Sequence, residues 1–168
     1  MNKEIIPTKG LEKDFMVIHY SRENSKIEFT EDSFRLANGA FIVGLSGRCN
    51  ISVNLTSYDI TKNTILTIVP HHIVQAHSMS DDFEGYIVLF TPSFAADINL
   101  LRSNLPFMTE MRYNPLVNLT EEECNLFTNF CRFFHDIEGN ELIGNSPEVR
   151  KGLLTSLLYT LGALYRRQ

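Results

Sequence analysis

Three histidines stand close together in this chain, His71, His72 and His77, with Glu84 downstream. Imidazoles and a carboxylate are the ligand types of a metal centre in a small β-barrel. Two ligands on one strand must be separated by one residue to point the same way, because side chains alternate with period two. His71 and His72 are adjacent, and His72 and His77 are five apart, so each pair faces opposite sides of an uninterrupted strand. The pattern predicts surface or pocket-lining histidines and no metal or other cofactor.

Nucleophilic catalysis has no better support. No G-x-S-x-G elbow is present, and Cys49 has no base partner at a recognisable spacing. Asp81-Asp82 resembles a paired carboxylate but precedes an apolar run, which is where a solvated turn places its acids. Gly44-Leu-Ser-Gly-Arg48 is too short and apolar for a phosphate loop, and neither a G-x-G-x-x-G nor a Walker pattern exists. The sequence thus gives no indication of an enzyme. Arg48 is the residue with most to offer. It ends an otherwise apolar strand, and its five donors in a fixed fork suit hydroxyl or carboxylate ligands. The other reading is a rim arginine in a surface ion pair.

The elements that must position these residues change character near Thr91. Before it, short runs rich in Val, Ile, Phe and Thr alternate with polar or Gly/Asn breaks, which is strand chemistry. Strands are predicted over Phe15–Tyr20, Phe41–Ser46, Ile51–Leu55, Thr64–Val69, Ile73–Ser78 and Gly85–Thr91, with a weaker one at Ile27–Phe29. Breaks fall at Asn38-Gly39, Thr61–Asn63 and Ser80–Asp82. Such spacing predicts an antiparallel barrel or sandwich. After Thr91, Pro92 opens a short helix through Leu101, and Asn104–Val117, with Pro106 and Pro115, reads as irregular. Thr120-Glu-Glu-Glu123 is a capping box for a helix to Glu138, stopped by Gly139. Ser146-Pro147 starts another that runs to about Tyr165.

Both long helices carry two apolar stripes. Leu153, Leu157, Leu161 and Leu164 form one stripe of the last helix, and Leu154, Leu158 and Tyr165 form a second. The preceding helix pairs Cys124, Phe127, Cys131 and Phe134 with Leu126, Phe130, Phe133 and Ile137. A helix lying on a domain needs one apolar face. The second stripe predicts either mutual burial of the helices or self-association, and the homodimer interface is assigned to Leu153, Leu157, Leu161 and Leu164.

The 168 residues fit one domain with a substantial core, and 43% hydrophobic and 21% charged residues are ordinary for a globular chain. A net charge of −5 argues against direct nucleic-acid binding. Cys49, Cys124 and Cys131 read as buried free thiols of a reducing compartment. With no apolar run near the roughly 18 residues needed to span a bilayer and no signal-peptide core, the expected location is the cytoplasm.

Three segments, Phe41–Arg48, Thr64–Ile73 and Asp82–Thr91, resemble the N-terminal domain of the arabinose-regulator (AraC) family of transcription factors. In that family a strand ends in a polar or basic turn, another ends in proline, and a third leads out of the barrel. Leu116–Glu123 and Val149–Leu158 are similar to the paired helices that follow. The resemblance implies a fold that is mainly β with C-terminal helices, a cupin-like jelly-roll barrel at 1–91 with an N-terminal arm at Ile5–Phe15. It implies a helical dimerisation segment at 92–168, and a DNA-reading helix-turn-helix domain that is absent from this chain. It also implies a small-molecule effector bound in the barrel. Arg48 falls at a sugar-contacting arginine of the arabinose sensor. Ala76 and Gly85 are small where that sensor has aromatic and imidazole groups, which implies a different effector. The remaining pocket is assigned to Phe41, Gln75, His77 and Tyr86. Two other functions stand beside this one: a metal-dependent cupin enzyme, and a pure dimerisation module with a barrel filled by its own side chains.

Overall fold

The computed structural model describes residues 14–23, 32–97 and 107–167. Among them the chain forms β1 (Phe15–Ser21), β2 (Phe34–Arg35), β3 (Gly39–Ser46), β4 (Arg48–Val53), β5 (Thr56–Thr61), β6 (Thr64–Ile68), β7 (Ile73–Met79) and β8 (Glu84–Phe90). These are followed by α1 (Pro92–Asp97), α2 (Phe107–Tyr113), β9 (Leu116–Asn118), α3 (Glu121–Glu138), α4 (Glu141–Gly144) and α5 (Pro147–Arg167). The strands build two antiparallel sheets, β1-β8-β3-β6-β9 and β2-β7-β4-β5. The mainly-β fold with C-terminal helices is the one expected.

The two sheets differ in what covers them, and their sequences record it. β3, β6 and β8 are apolar almost without interruption and buried on both faces. One face meets the other sheet; the opposite face is covered by the long helices. Phe41, Val43, Ile65 and Val88 on that opposite face share a cluster with Phe127 and Phe134 of α3 and Leu154, Leu157 and Leu161 of α5. Barrel and helices therefore have a common core. The second cluster lies between the sheets and includes Leu36, Ile42, Ile51, Ile60, Leu66 and Leu89. In β4 and β7 inward-facing residues largely alternate with outward-facing ones, and among the described residues no helix packs on the outer face of the four-stranded sheet.

The chain crosses from one sheet to the other between β3 and β4 at Gly47, whose φ is +68°. A Cβ there would lie 2.5 Å from the backbone nitrogen of Phe83, so the corner needs glycine twice over. The capping box of α3 is complete: Thr120 Oγ1 accepts from the Glu123 amide and Glu123 accepts from the Thr120 amide. Ser146 Oγ accepts from the Val149 amide at the start of α5. Arg167 near the end of α5 pairs with Glu123 and donates to the Asn118 carbonyl, so the two long helices are tied end to start.

Several expectations need correction. The stretch expected to be irregular contains α2 and β9. The predicted strand Ile51–Leu55 begins at Arg48 and ends at Val53, where a hairpin leads into β5, a strand the sequence does not announce. Gly139 closes α3 with a right-handed φ of −75°, not the left-handed cap that a stop glycine usually supplies. The predicted strand Ile27–Phe29, the arm at Ile5–Phe15 except its last two residues, and the end of the Pro92 helix lie outside the described residues.

Candidate functional site

The barrel interior is filled. Leu36, Ile42, Ile60, Leu66, Ile68 and Leu89 are each at most 1% exposed and pack together between the sheets. Among the described residues, concavities that could take a ligand lie at the ends. At one end a cavity of about 410 Å³ is lined by Tyr20, Arg22, His77, Ser78, Met79, Ser80, Asp81 and Phe83. A volume of this size is within the usual range for small-molecule sites, about 300–1,000 Å³.

The cavity's walls follow from strand pairing. β1 and β8 run antiparallel with Ser21 opposite Glu84, so the residues after β1 meet the residues before β8. The turn between β7 and β8 is closed by the Phe83 amide on the Ser80 carbonyl, 3.1 Å. Tyr20 and Phe83 are buried, their rings 5.9 Å apart, and form an apolar floor. Above it Arg22 pairs with Asp81, both well exposed. An ion pair so open to water contributes about 0–1 kcal/mol. A ligand carboxylate can therefore take the place of Asp81 on Arg22 at little cost.

His77 borders this cavity at an irregularity of its strand. The β4–β7 register shifts between Asn50 and Ile51, so that Ser78 pairs with Asn50 while Ala76 pairs with Ile51, leaving His77 as the extra residue. Such a bulge breaks the period-two alternation and re-aims the side chains beyond it. Met79 is thereby turned towards the inner cluster, and His77 Nε2 sits 2.9 Å from Ser52 Oγ.

The other predicted effector residues are not gathered with it. Arg48 lies on the outer face of the four-stranded sheet, where its Nε and one terminal nitrogen donate to Asp59 at 3.0 and 2.6 Å. Asn50 Nδ2 donates to the same carboxylate at 2.7 Å. These bonds raise the Arg48 pKa and hold that of Asp59 below the usual carboxylate value. Only the backbone of Arg48 reaches the cavity rim, exchanging hydrogen bonds with Ser80. Gln75, opposite Ser52, is on the outer face as well. Phe41 and Tyr86 point the other way, into the helix-side cluster, where Phe41 stacks on Phe90 at 5.3 Å and Tyr86 on His19 at 4.7 Å. These two are corrected from pocket to core, because odd and even positions of β3 and β8 face different layers.

The interface expected at Leu153, Leu157, Leu161 and Leu164 needs the same correction. Leu157 and Leu161 are 2% and 0% exposed within one protomer, and Leu153 and Leu164 are partly buried against the same cluster. The stripe assigned to a partner is the one that packs on the barrel. Sequence reasoning missed Tyr20, Arg22 and Phe83; the Ser80–Asp82 break was visible, but not that β1 would end beside it.

The thiols are not poised for reaction. Cys49 and Cys131 are buried, and burial pushes each thiol up to about 12. Among the described residues no group of three or more His, Cys, Asp or Glu could hold a metal ion. Among them, too, no helix is long and apolar enough to cross a membrane.

No protein-family model and no curated protein matches this sequence. Solved structures do match the fold. ToxT from Vibrio cholerae, in the apo form of its K231A variant, superposes with a TM-score of 0.52 at 14% identity, over 94% of this chain and 59% of that one. The AraC-like transcriptional activator CuxR superposes with a TM-score of 0.50 at 14% identity, over 77% of this chain and 42% of that one. The chain thus spans less than two thirds of either protein. In fold, the chain is similar to the matched part of these two proteins, strands followed by helices.

Proposed function

We propose that this chain is the effector-sensing and dimerisation module of a cytoplasmic AraC-type transcription regulator, and that its effector is a small anionic molecule held at the barrel mouth. The cavity of about 410 Å³ carries this reading, with an apolar floor of Tyr20 and Phe83 and a replaceable ion pair above it. The effector carboxylate bonds to Arg22, His77 supplies a second polar contact, and Tyr20 and Phe83 take the apolar part. The role is binding, not catalysis. A net charge of −5 leaves DNA contact to a separate domain of the same regulator. Binding works by favouring one arrangement of barrel and helices over another, which requires different affinities for the two.

A screen of carboxylate metabolites by thermal shift tests this. A true effector present at 100 times its dissociation constant stabilises the fold by about 2.7 kcal/mol. Arg22→Ala is expected to weaken that effector at least tenfold while leaving the melting temperature of the free protein unchanged. A hit whose affinity survives the substitution would remove the mouth from consideration. The filled interior favours a second reading, a dimerisation module without an effector. A screen without a single stabilising compound is the result that reading expects.

A further inference from the structure

The opposite end of the barrel carries a second concavity. A groove of about 230 Å³ lies between the β4–β5 hairpin, the residues leading into β7, and α2. Its barrel side includes Tyr58 and His72, and its helix side Arg112 and Tyr113.

Three observations describe what would fill it. Arg112 has no carboxylate partner among the described residues. His72 is half-buried, and its pKa is lowered by that burial and by the charge of Arg112, so both groups gain from an added anion. The phenol rings of Tyr58 and Tyr113 border the same space, and neither hydroxyl has a hydrogen-bond partner among the described residues. A guanidinium binds a carboxylate through two parallel hydrogen bonds. Aromatic side chains prefer a planar, apolar ring as neighbour. At about 230 Å³ the groove lies below the usual range for small-molecule sites, about 300–1,000 Å³, so it has room only for a small ligand.

We propose that this groove is a second binding site, distinct from the barrel mouth, and that it takes a single-ring aromatic carboxylate. Arg112 and His72 bind the carboxylate, and Tyr58 and Tyr113 flank the ring. Such a ligand bridges the barrel to α2. Met111, on the same helix, is buried in the cluster that contains Leu158 and Leu161 of α5. Occupancy therefore fixes the helical layer against the barrel, and the site reports to the helices without passing through the barrel interior.

Benzoate is a suitable probe, read by calorimetry and by tyrosine fluorescence, since the chain contains no Trp. One saturable equivalent is expected to bind, with affinity reduced at least tenfold by Arg112→Gln and unchanged by Arg22→Ala. Arg112 is exposed, so its replacement leaves the fold intact. Absence of saturable binding, or binding that Arg112→Gln does not weaken, overturns the site. Inorganic phosphate binding as tightly as benzoate overturns the aromatic class of ligand. Loss on Arg22→Ala instead assigns the binding to the mouth and also overturns the second site.

Discussion

Asn54 and Leu55 link β4 to β5 with φ values of 49° and 72°, the pattern of a two-residue hairpin turn that normally carries glycine at its second position. Leu55 is 95% exposed, so no packing offsets its left-handed backbone. That conformation costs a residue with a Cβ about 1–2 kcal/mol, part of which glycine returns through the greater entropy of its unfolded chain. Leu55→Gly is expected to stabilise the protein by about 0.5–1 kcal/mol, read as a higher urea midpoint at constant slope; a lower midpoint would refute the strain. The same hairpin explains why the role of Arg48 was only half legible. Its five donors were plain from the sequence, and so was the choice between a ligand and a rim ion pair. Asp59 as its partner was not, because Thr56–Thr61 is too polar to read as a strand, and only the β4–β5 register puts Asp59 opposite Asn50, within reach of Arg48. His77 was named from the sequence, but the bulge at its position was not legible: a bulge leaves no mark on composition, and period-two reasoning fails across it.

At the scale of elements, the least obvious contact is the one that finishes the edge of β1. Thr91 donates to the Asp14 carbonyl, so alternate residues of β1 turn their backbone groups towards β8 and the set containing Phe15 and Val17 turns outward. An open edge of this kind is a template for unwanted pairing. Here side chains from the helical layer occupy it. Glu138 Oε1 accepts from the Val17 amide at 3.3 Å, and Arg150 donates to the carbonyls of Phe15 and of Gly144. The buried Arg150 guanidinium also lies 4.3 Å from the centre of the Phe15 ring. Arg150→Met keeps much of the volume but strands two buried carbonyls, each at a cost of about 1–3 kcal/mol. A loss of about 2–4 kcal/mol in chemical denaturation is expected, against none for Arg166→Ala at the exposed end of α5; a loss below about 1 kcal/mol would show that the edge closes without it. The elements that were legible are those whose signals are local. Thr120 with Glu123, and Ser146 with Pro147, mark helix starts because a cap is a short-range hydrogen bond. β9 could not be read, since three residues pair with β6 only through tertiary context, including the bonds from Thr67 to Pro115 and from Leu119 to Asn63.

For the whole molecule, the question is which apolar surface remains once one sheet face has been covered. The α5 stripe of Leu153, Leu157, Leu161 and Leu164 is consumed by the barrel, so placing charges at Leu157 and Leu161 would test folding and not assembly. The second stripe of α3 is different. Leu126 and Phe133 are 62% and 53% exposed, with Phe130 partly buried between them. They lie seven residues apart, roughly 10 Å along the helix. In a two-fold dimer each contact occurs twice in reciprocal form. An antiparallel pairing of two copies of α3 centred near Phe130 brings each Leu126 against the other copy's Phe133. We propose this as the dimer interface. Leu126→Asp with Phe133→Asp is expected to give a monomeric mass by light scattering at a concentration where the unaltered chain is a dimer, with the far-ultraviolet circular dichroism unchanged because both side chains already face water in the protomer. A dimeric mass for the double variant, or a monomeric mass for the parent chain at high concentration, would remove α3 as the interface. In the monomeric double variant an effector at the barrel mouth should still raise the melting temperature, since Arg22 and Tyr20 lie within one protomer. Sensing and assembly would then be separable properties of the same fold.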